Sequence, residues 1–228
     1  MPQSEVWERE YKNPKLLTKK AEPQTDVKNF LKFLRKQQGV EIEGQKVLDL
    51  GSGTGRNGNY LGRLGAVVQG LELSLTAVAL ARERAIGKDW LVEYQVGNFG
   101  TILPFADQSF DLILDVMSSN SLNESERKMY LTETSRVLKT NGYFFVKSLC
   151  KDGDKNAKNL LLKFPGAETD TYINKDMDLV ERVFSESDMR EMYGHYFKIL
   201  RLMKKTNYVR FRGQSYKRNY WLLYLQHN

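Results

Sequence analysis

The feature that most constrains this chain is a glycine cluster set directly behind a short apolar run. KVLDL (46–50) opens into GSGTGRNG (51–58), and residues 55–64 then carry Tyr60, Leu61 and Leu64 at helical spacing before Gly65. An apolar pentad, a tight glycine turn and an amphipathic helix in that order make a strand–turn–helix unit, the building block of α/β folds. The unit recurs. VVQGLEL (67–73) reads as a second strand, with Ser74 capping an alanine-rich helix to about residue 86, and LVEYQVG (91–97) reads as a third strand. FDLILDV (110–116) has the apolar run of a buried fourth strand. The segment from Glu124 to Leu138 reads as a helix ending in LKTNG, where Gly142 is expected to take the left-handed turn that releases a fifth strand, YFFVKSL (143–149). Strands alternating with helices of about ten to fifteen residues require right-handed crossovers, hence a mostly parallel sheet.

The flanks complete the pattern. VKNFLKFLRKQQ (27–38) places Val27, Phe30, Leu31, Phe33 and Leu34 on one face of an entry helix, with Gly39 as its stop. Residues 150–183 are polar and irregular apart from LLLKF and Pro165-Gly166, and read as an insertion over the rim of the sheet. Ser185 with Asp188 makes a capping box for a helix through about Tyr193. FKILRLMK (197–204) and YWLLYLQ (220–226), joined by a basic loop, pair most simply as an antiparallel edge hairpin. A chain of 228 residues fits one elaborated domain, divided into a helical cap (1–44), a ligand-binding core (45–149), an insertion or lid (150–183) and a C-terminal helix with basic hairpin (184–228).

Composition removes several function classes. No apolar run approaches the roughly 18 residues that span a bilayer, and the polar start MPQSEVWERE does not read as a secretory signal, so a cytoplasmic protein without a membrane partner is expected. A single cysteine, Cys150, excludes an internal disulfide and a multi-cysteine zinc site; two histidines leave no three-histidine cage, so no metal is expected. Cys150 itself reads as a buried small hydrophobe. The net charge of +7 is concentrated: from His195 onward there are eight Lys and Arg and no Asp or Glu. That asymmetry suits an anionic partner, nucleic acid included, and equally an edge strand guarded by cations. Aromatic residues interleave with the cations of YVRFRGQSYKRNYW, a composition suited both to stacking on bases and to a half-buried strand.

The glycine turn carries the chemistry. Gly51-x-Gly53-x-Gly55 overlaps Gly53-x-Gly55-x-x-Gly58, and glycines there let a ligand lie against the backbone with no Cβ in the way. Glu72, about twenty residues on at the second strand's end, is placed to accept both hydroxyls of a ribose. Asp49 discriminates among adenosine ligands, because a carboxylate two positions before the first glycine repels a pyrophosphate and attracts an ammonium or sulfonium. This favours S-adenosylmethionine over NAD or FAD. A phosphate-gripping loop fails as well, since Asn59-Tyr60 stands where Lys-Ser/Thr is required.

With VLDLGSGTGRNG, GAVVQGLELS followed by LARERA, LPFADQSFDLIL and RVLKTNGYFFV in this order, the chain resembles the class I S-adenosylmethionine-dependent methyltransferases, in particular those with a type-11-like methyltransferase domain, from about Lys46 to Leu149. The resemblance implies a Rossmann-like three-layer sandwich around a mostly parallel seven-stranded sheet of order 3-2-1-4-5-7-6 with an antiparallel edge. It implies that Asp49, Gly51, Ser52, Gly53 and Gly55 hold the methionine part of the cofactor, Glu72 the ribose, and Leu73, Asn98 and Phe99 the adenine. Asp115 would stand where cofactor and acceptor meet, as a catalytic or cofactor-binding acid or as a strand-end acid capping the next turn. His195 is a general-base candidate or a helix-end residue. Tyr11, one helical turn from Trp7, lies in a segment that in similar enzymes folds over the cleft, where both rings suit a sulfonium. Lys147, Arg210, Arg212, Lys217 and Arg218 are the candidate contacts of an anionic acceptor. The expected activity is methyl transfer to a small molecule, with S-adenosylhomocysteine as product; transfer to RNA or protein through the basic hairpin, or cofactor binding without catalysis, are the alternatives. DVMSSNSL after the fourth strand lacks the Asp/Asn-Pro-Pro-aromatic signature of many amino-directed nucleic-acid enzymes.

Overall fold

The computed structural model describes residues 3–14, 20–211 and 214–228, and the backbone alone of residues 209, 210, 211 and 214. Helices α1 (Ser4–Lys12) and α2 (Thr25–Phe33) precede the alternating core: β1 (Lys46–Leu50), α3 (Arg56–Arg63), β2 (Val67–Glu72), α4 (Leu75–Glu83), β3 (Val92–Val96), β4 (Phe110–Val116), α5 (Glu124–Val137) and β5 (Leu138–Leu149). Then follow α6 (Lys155–Lys163), β6 (Thr171–Asn174), β7 (Leu179–Arg182), α7 (Glu186–Gly194) and the hairpin β8 (Phe197–Phe211) and β9 (Gln214–His227). The main sheet runs β3-β2-β1-β4-β5-β9-β8, parallel from β3 to β5 and antiparallel at β9 and β8. This is the expected order once the separate hairpin β6–β7 is set aside.

Strand pleating divides the core. Val47, Val68, Leu112, Leu114, Phe145, Leu222 and Tyr224 pack against Val27, Phe30 and Phe33 of α2 and Leu61 of α3. Their alternate neighbours Leu48, Leu50, Ile113, Phe144, Val146, Leu223 and Leu225 pack on the other face against Tyr130, Leu131 and Val137 of α5 and Met189 and Tyr193 of α7. Burial of both faces is why these strands read as continuous apolar runs.

Two sequence expectations are corrected and a third gains detail. Residues 150–183 are not irregular: Asp154 caps α6 through the Ala157 amide, and β6 and β7 pair in register from Thr171–Arg182 to Asn174–Leu179. The left-handed residue is Asn141 (φ 63°), not Gly142, and it lies inside β5, which already begins at Leu138. Gly142 is needed for space, since a Cβ there would lie 2.8 Å from the Lys139 carbonyl oxygen. The entry helix ends in a π turn, Leu34–Gln38, before left-handed Gly39.

Candidate functional site

The carboxyl ends of β1, β2, β4 and β5 open on one edge of the sheet, where a cleft of about 520 Å³ is bounded by the 51–54 turn, Glu72, Leu73, Phe99, Met117 and Lys147. The turn hangs from β2 by the amides of Gly51 and Ser52, both donating to the Leu71 carbonyl at 2.8 and 3.2 Å. Gly51, Gly53 and Gly55 all have left-handed φ, 61°, 54° and 74°. A Cβ on Gly51 would come within 2.2 Å of the Ser118 Cβ, and one on Gly53 within 2.7 Å of the Tyr11 hydroxyl, so side chains at either position would close the bed of the cleft.

Glu72 stands at the wall with its orientation fixed. Its Oε2 accepts from the Gly53 amide at 3.0 Å and its Oε1 from the Ser74 amide at 2.9 Å. Burial raises its pKa against the pull of these amides. Each oxygen keeps a lone pair for a diol. Leu73, Phe99 and Ser52 also line the cleft, and the Ser52 hydroxyl is a buried polar atom with no hydrogen-bond partner among the described residues.

Asp49 and Asn98 are placed differently from expectation, and Asp115 takes one of its two readings. Asp49 lies beneath the glycine turn rather than on the wall, 2% exposed, with Oδ2 accepting from the Gly58 amide at 3.1 Å. Burial pushes its pKa up to about 7, with the Gly58 amide and Arg56 pulling the other way. Asp115 is fully buried: it accepts from the Ser118 amide and hydroxyl, the Ser119 amide and, at 2.7 Å, the Tyr130 hydroxyl. It caps the turn after β4, which is the second of its two readings. The Asn98 Oδ1 accepts from the Gly100 amide at 2.8 Å, so this side chain braces its own turn and does not line the cleft.

Helix α1 roofs the cleft with Trp7 and Tyr11, whose rings lie 6.3 Å apart. It is tied down at both sides. Glu8 accepts from the Ser74 and Thr76 hydroxyls and the Thr76 amide at the start of α4. Burial opposes its charge, but these bonds and Lys12 hold its pKa at about 2. On the opposite side Gln3 exchanges two bonds with the Val180 backbone, and the Arg9 guanidinium donates to the Met177 carbonyl.

Among the described residues, the expected acceptor contacts do not converge. Lys147 lines the cleft but donates to Asp26 at 2.8 Å and to the Gln24 side chain at 3.1 Å. Arg218 is built into the interior, donating to the Tyr172 hydroxyl and lying 3.6 Å from Asp154. Lys217 is exposed on β9 and not on the cleft wall. The Arg210 side chain and Arg212 lie outside the described residues. His195 follows α7 and adjoins Phe197, which pairs with His227 at the amino edge of the sheet, opposite the cleft. Cys150 is buried and its thiol is pushed up to about 12 by that burial, as befits a packing residue.

Sequence reading missed Arg56, Met117 and Glu181, all on the wall. Arg56 follows the last glycine of the turn, a position with a signal. Met117 is left-handed (φ 71°) at the end of β4, a strained conformation that nothing in DVMSS announces. Glu181 belongs to a hairpin too short to show a pattern.

These residues fit S-adenosylmethionine. The glycine bed has no Cβ to obstruct a ligand, Glu72 presents a carboxylate where a diol can lie, Phe99 and Leu73 supply apolar faces, and Arg56 sets a positive charge on the wall beside the turn for the carboxylate of an amino-acid arm, with Asp49 beneath the turn.

Residues 48–146 match a family model described as a methyltransferase domain. Over 107 residues the chain is 35% identical to the fatty-acid O-methyltransferase of Mycolicibacterium smegmatis, covering 46% of this chain and 37% of that protein. It is 36% identical over 103 residues to the demethylmenaquinone methyltransferase of Tropheryma whipplei, 45% of this chain and 41% of that one. Phosphoethanolamine N-methyltransferase 1 of Zea mays is 31% identical over 133 residues, 58% and 24% of the two chains. The chain thus spans less than half the length of these relatives. Among solved structures, an S-adenosylmethionine-dependent methyltransferase of Methanosarcina mazei superposes with TM-score 0.72 at 20% identity, over 90% of this chain and 98% of that one. The 1,6-didemethyltoxoflavin-N1-methyltransferase of Burkholderia thailandensis, solved with its substrate and S-adenosylhomocysteine, gives 0.70 at 16% identity over 99% and 87%. Both share its fold.

Proposed function

From a methyltransferase domain over residues 48–146, we propose that this protein transfers the methyl group of S-adenosylmethionine to a small-molecule acceptor. The observation that carries the reading is Glu72, locked by two backbone amides on the cleft wall beside a glycine bed that a side chain would fill. When bound, the cofactor supplies a methyl group already activated by a sulfonium. The protein's own work is then to hold and align. Glu72 takes the ribose hydroxyls, Phe99 and Leu73 flank the adenine, and the 51–54 turn with Arg56 takes the amino-acid arm. Trp7 and Tyr11 close over the bed and keep water out. Fixing two reactants in line supplies roughly 7 to 11 kcal/mol of barrier reduction.

A small acceptor is supported by the size and roofing of the cleft, about 520 Å³ under α1, within the roughly 300–1,000 Å³ usual for small-molecule sites. The three relatives above are named for fatty acid, demethylmenaquinone and phosphoethanolamine. We measure heat of binding with S-adenosylhomocysteine and with NADH, then incubate the protein with methyl-labelled donor and a fractionated cell extract. Binding of S-adenosylhomocysteine, its loss by at least tenfold in Glu72→Ala, and label in the small-molecule fraction are the expected results. Heat from NADH alone sinks the reading.

A further inference from the structure

We propose that Glu181 is the general base of this methyl transfer, taking the proton from the nucleophilic atom of the acceptor. The inference rests on the reading above and deepens it, since it assigns the acceptor as one that carries an ionisable O–H or N–H.

Glu72, Glu126 and Glu181 are the carboxylates on the cleft wall among the described residues, with Asp49 close beneath it. Glu72 has both oxygens on backbone amides, Asp49 is sealed beneath the glycine turn, and Glu126 gives Oε2 to the Asn123 amide in the capping box that starts α5, with no chain of side chains behind it, among the described residues, of the kind that supports Glu181. Glu181 is on the wall, half-buried, and its recorded hydrogen bond uses only Oε2, which accepts from the Tyr172 hydroxyl at 2.8 Å. Oε1 has no partner among the described residues.

The support behind it is an ordered chain. Tyr172 faces Glu181 directly across the β6–β7 ladder. The Arg218 guanidinium donates to the same Tyr172 oxygen at 3.3 Å, and its Nε lies 3.6 Å from Asp154, whose two oxygens accept from the Asn219 and Ala157 amides. The preceding residue, Val180, is clamped by Gln3 of α1 through two bonds, so the roof and this strand are fixed together. The groups that act on its charge are Arg218 on β9 and Tyr172 on β6; Tyr220 on β9 and Asp154 ahead of α6 share the same neighbourhood through Arg218. Arg182, next along β7, stacks instead on Phe184. Burial raises the Glu181 pKa above the ordinary glutamate value, with Arg218 and Tyr172 opposing, which brings it closer to the working range of a general base.

The step balances without another reactant. The acceptor's O–H or N–H bond breaks and its proton passes to Oε1. A bond forms from that oxygen or nitrogen to the methyl carbon as the carbon–sulfur bond breaks, and its electron pair stays on sulfur in S-adenosylhomocysteine.

The test uses full-length protein, labelled methyl donor and the small-molecule fraction that takes up label. Glu181→Gln is expected to lower kcat by about 10² to 10⁴ while leaving S-adenosylhomocysteine affinity unchanged, and to abolish the acid limb of the pH–rate profile. Glu181→Asp restores part of the rate. Tyr172→Phe removes a bond to the ionised carboxylate, so the acid limb moves to higher pH. Independently of activity, the carboxyl-carbon NMR resonance that disappears in Glu181→Gln titrates above 4.5 in the wild type. The proposal is overturned if that resonance titrates at or below 4.5, if Glu181→Gln retains its rate and acid limb, or if its whole loss falls in KM for the acceptor. Failure of wild-type protein to bind S-adenosylhomocysteine would strike the parent reading instead.

Discussion

Asp49 is the residue at which stability and binding pull apart. Its folded pKa of about 7 lies above the ordinary value of 3.8, so folding favours its protonated form. The contribution is most favourable below 3.8 and declines as pH rises towards 7, amounting to a cost on the order of 4 kcal/mol in the fully ionised state. A bound ammonium reverses the preference. S-adenosylhomocysteine affinity should therefore increase from pH 6 to 8, with release of protons on binding, measured by calorimetry in buffers of different ionisation enthalpy. Asp49→Asn should melt at a higher temperature than wild type at pH 8 yet bind more weakly; unchanged affinity would remove the acid from any electrostatic role. The spacing of Asp49 and Glu72 to the glycines was legible in the sequence, but their orientation had to be read through the pleat. Asp49 shares a strand face with Val47, the face covered by α2 and α3, and so turns away from the cleft. Glu72 ends its strand, where the chain is free to turn into the opening.

Among the elements, α1 is held at one side by a charge. Because the Glu8 pKa is held near 2 against an ordinary 4.5, its stabilisation is complete above 4.5 and is lost as pH falls through about 2. Trp7 fluorescence should report the roof loosening across that interval and staying docked at neutral pH. Glu8→Gln should weaken S-adenosylhomocysteine binding roughly fivefold at pH 7, the equivalent of about 1 kcal/mol. The box at α7, where the Ser185 hydroxyl accepts from the Asp188 amide and Asp188 accepts from the Ser185 amide, predicts a loss of about 1 kcal/mol for Ser185→Ala in denaturant unfolding. That box, the Ser74 cap and five core strands are visible in sequence because each writes a local signal. The β6–β7 hairpin writes none: its strands are four residues long, and their support comes from Tyr220, Leu149 and Ala157, distant in the chain. Glu181 was invisible for the same reason.

At the scale of the molecule, the positive excess sits on a hairpin that runs past the carboxyl edge, since β9 meets the end of β5 at Tyr220–Leu149 and continues with β8 from Asn219 back to Gln214. Not all of its cations are available to a partner. Arg218 is interior, and Lys205 is joined to Asp26. Reversing the exposed Lys204 and Lys217 to Glu should leave methyl transfer to small molecules within about twofold, and RNA association should show no steep fall with salt. Sheet order followed from the alternation of strands and helices, because each crossover restricts where the next strand can lie. The position of β9 between β5 and β8 has a cost during synthesis. Until residues 214–227 emerge, β5 offers a full row of unsatisfied backbone donors and acceptors beside Phe145 and Val146, a template for another nascent chain. The protein therefore relies on a late-arriving segment to protect its own interior from self-association.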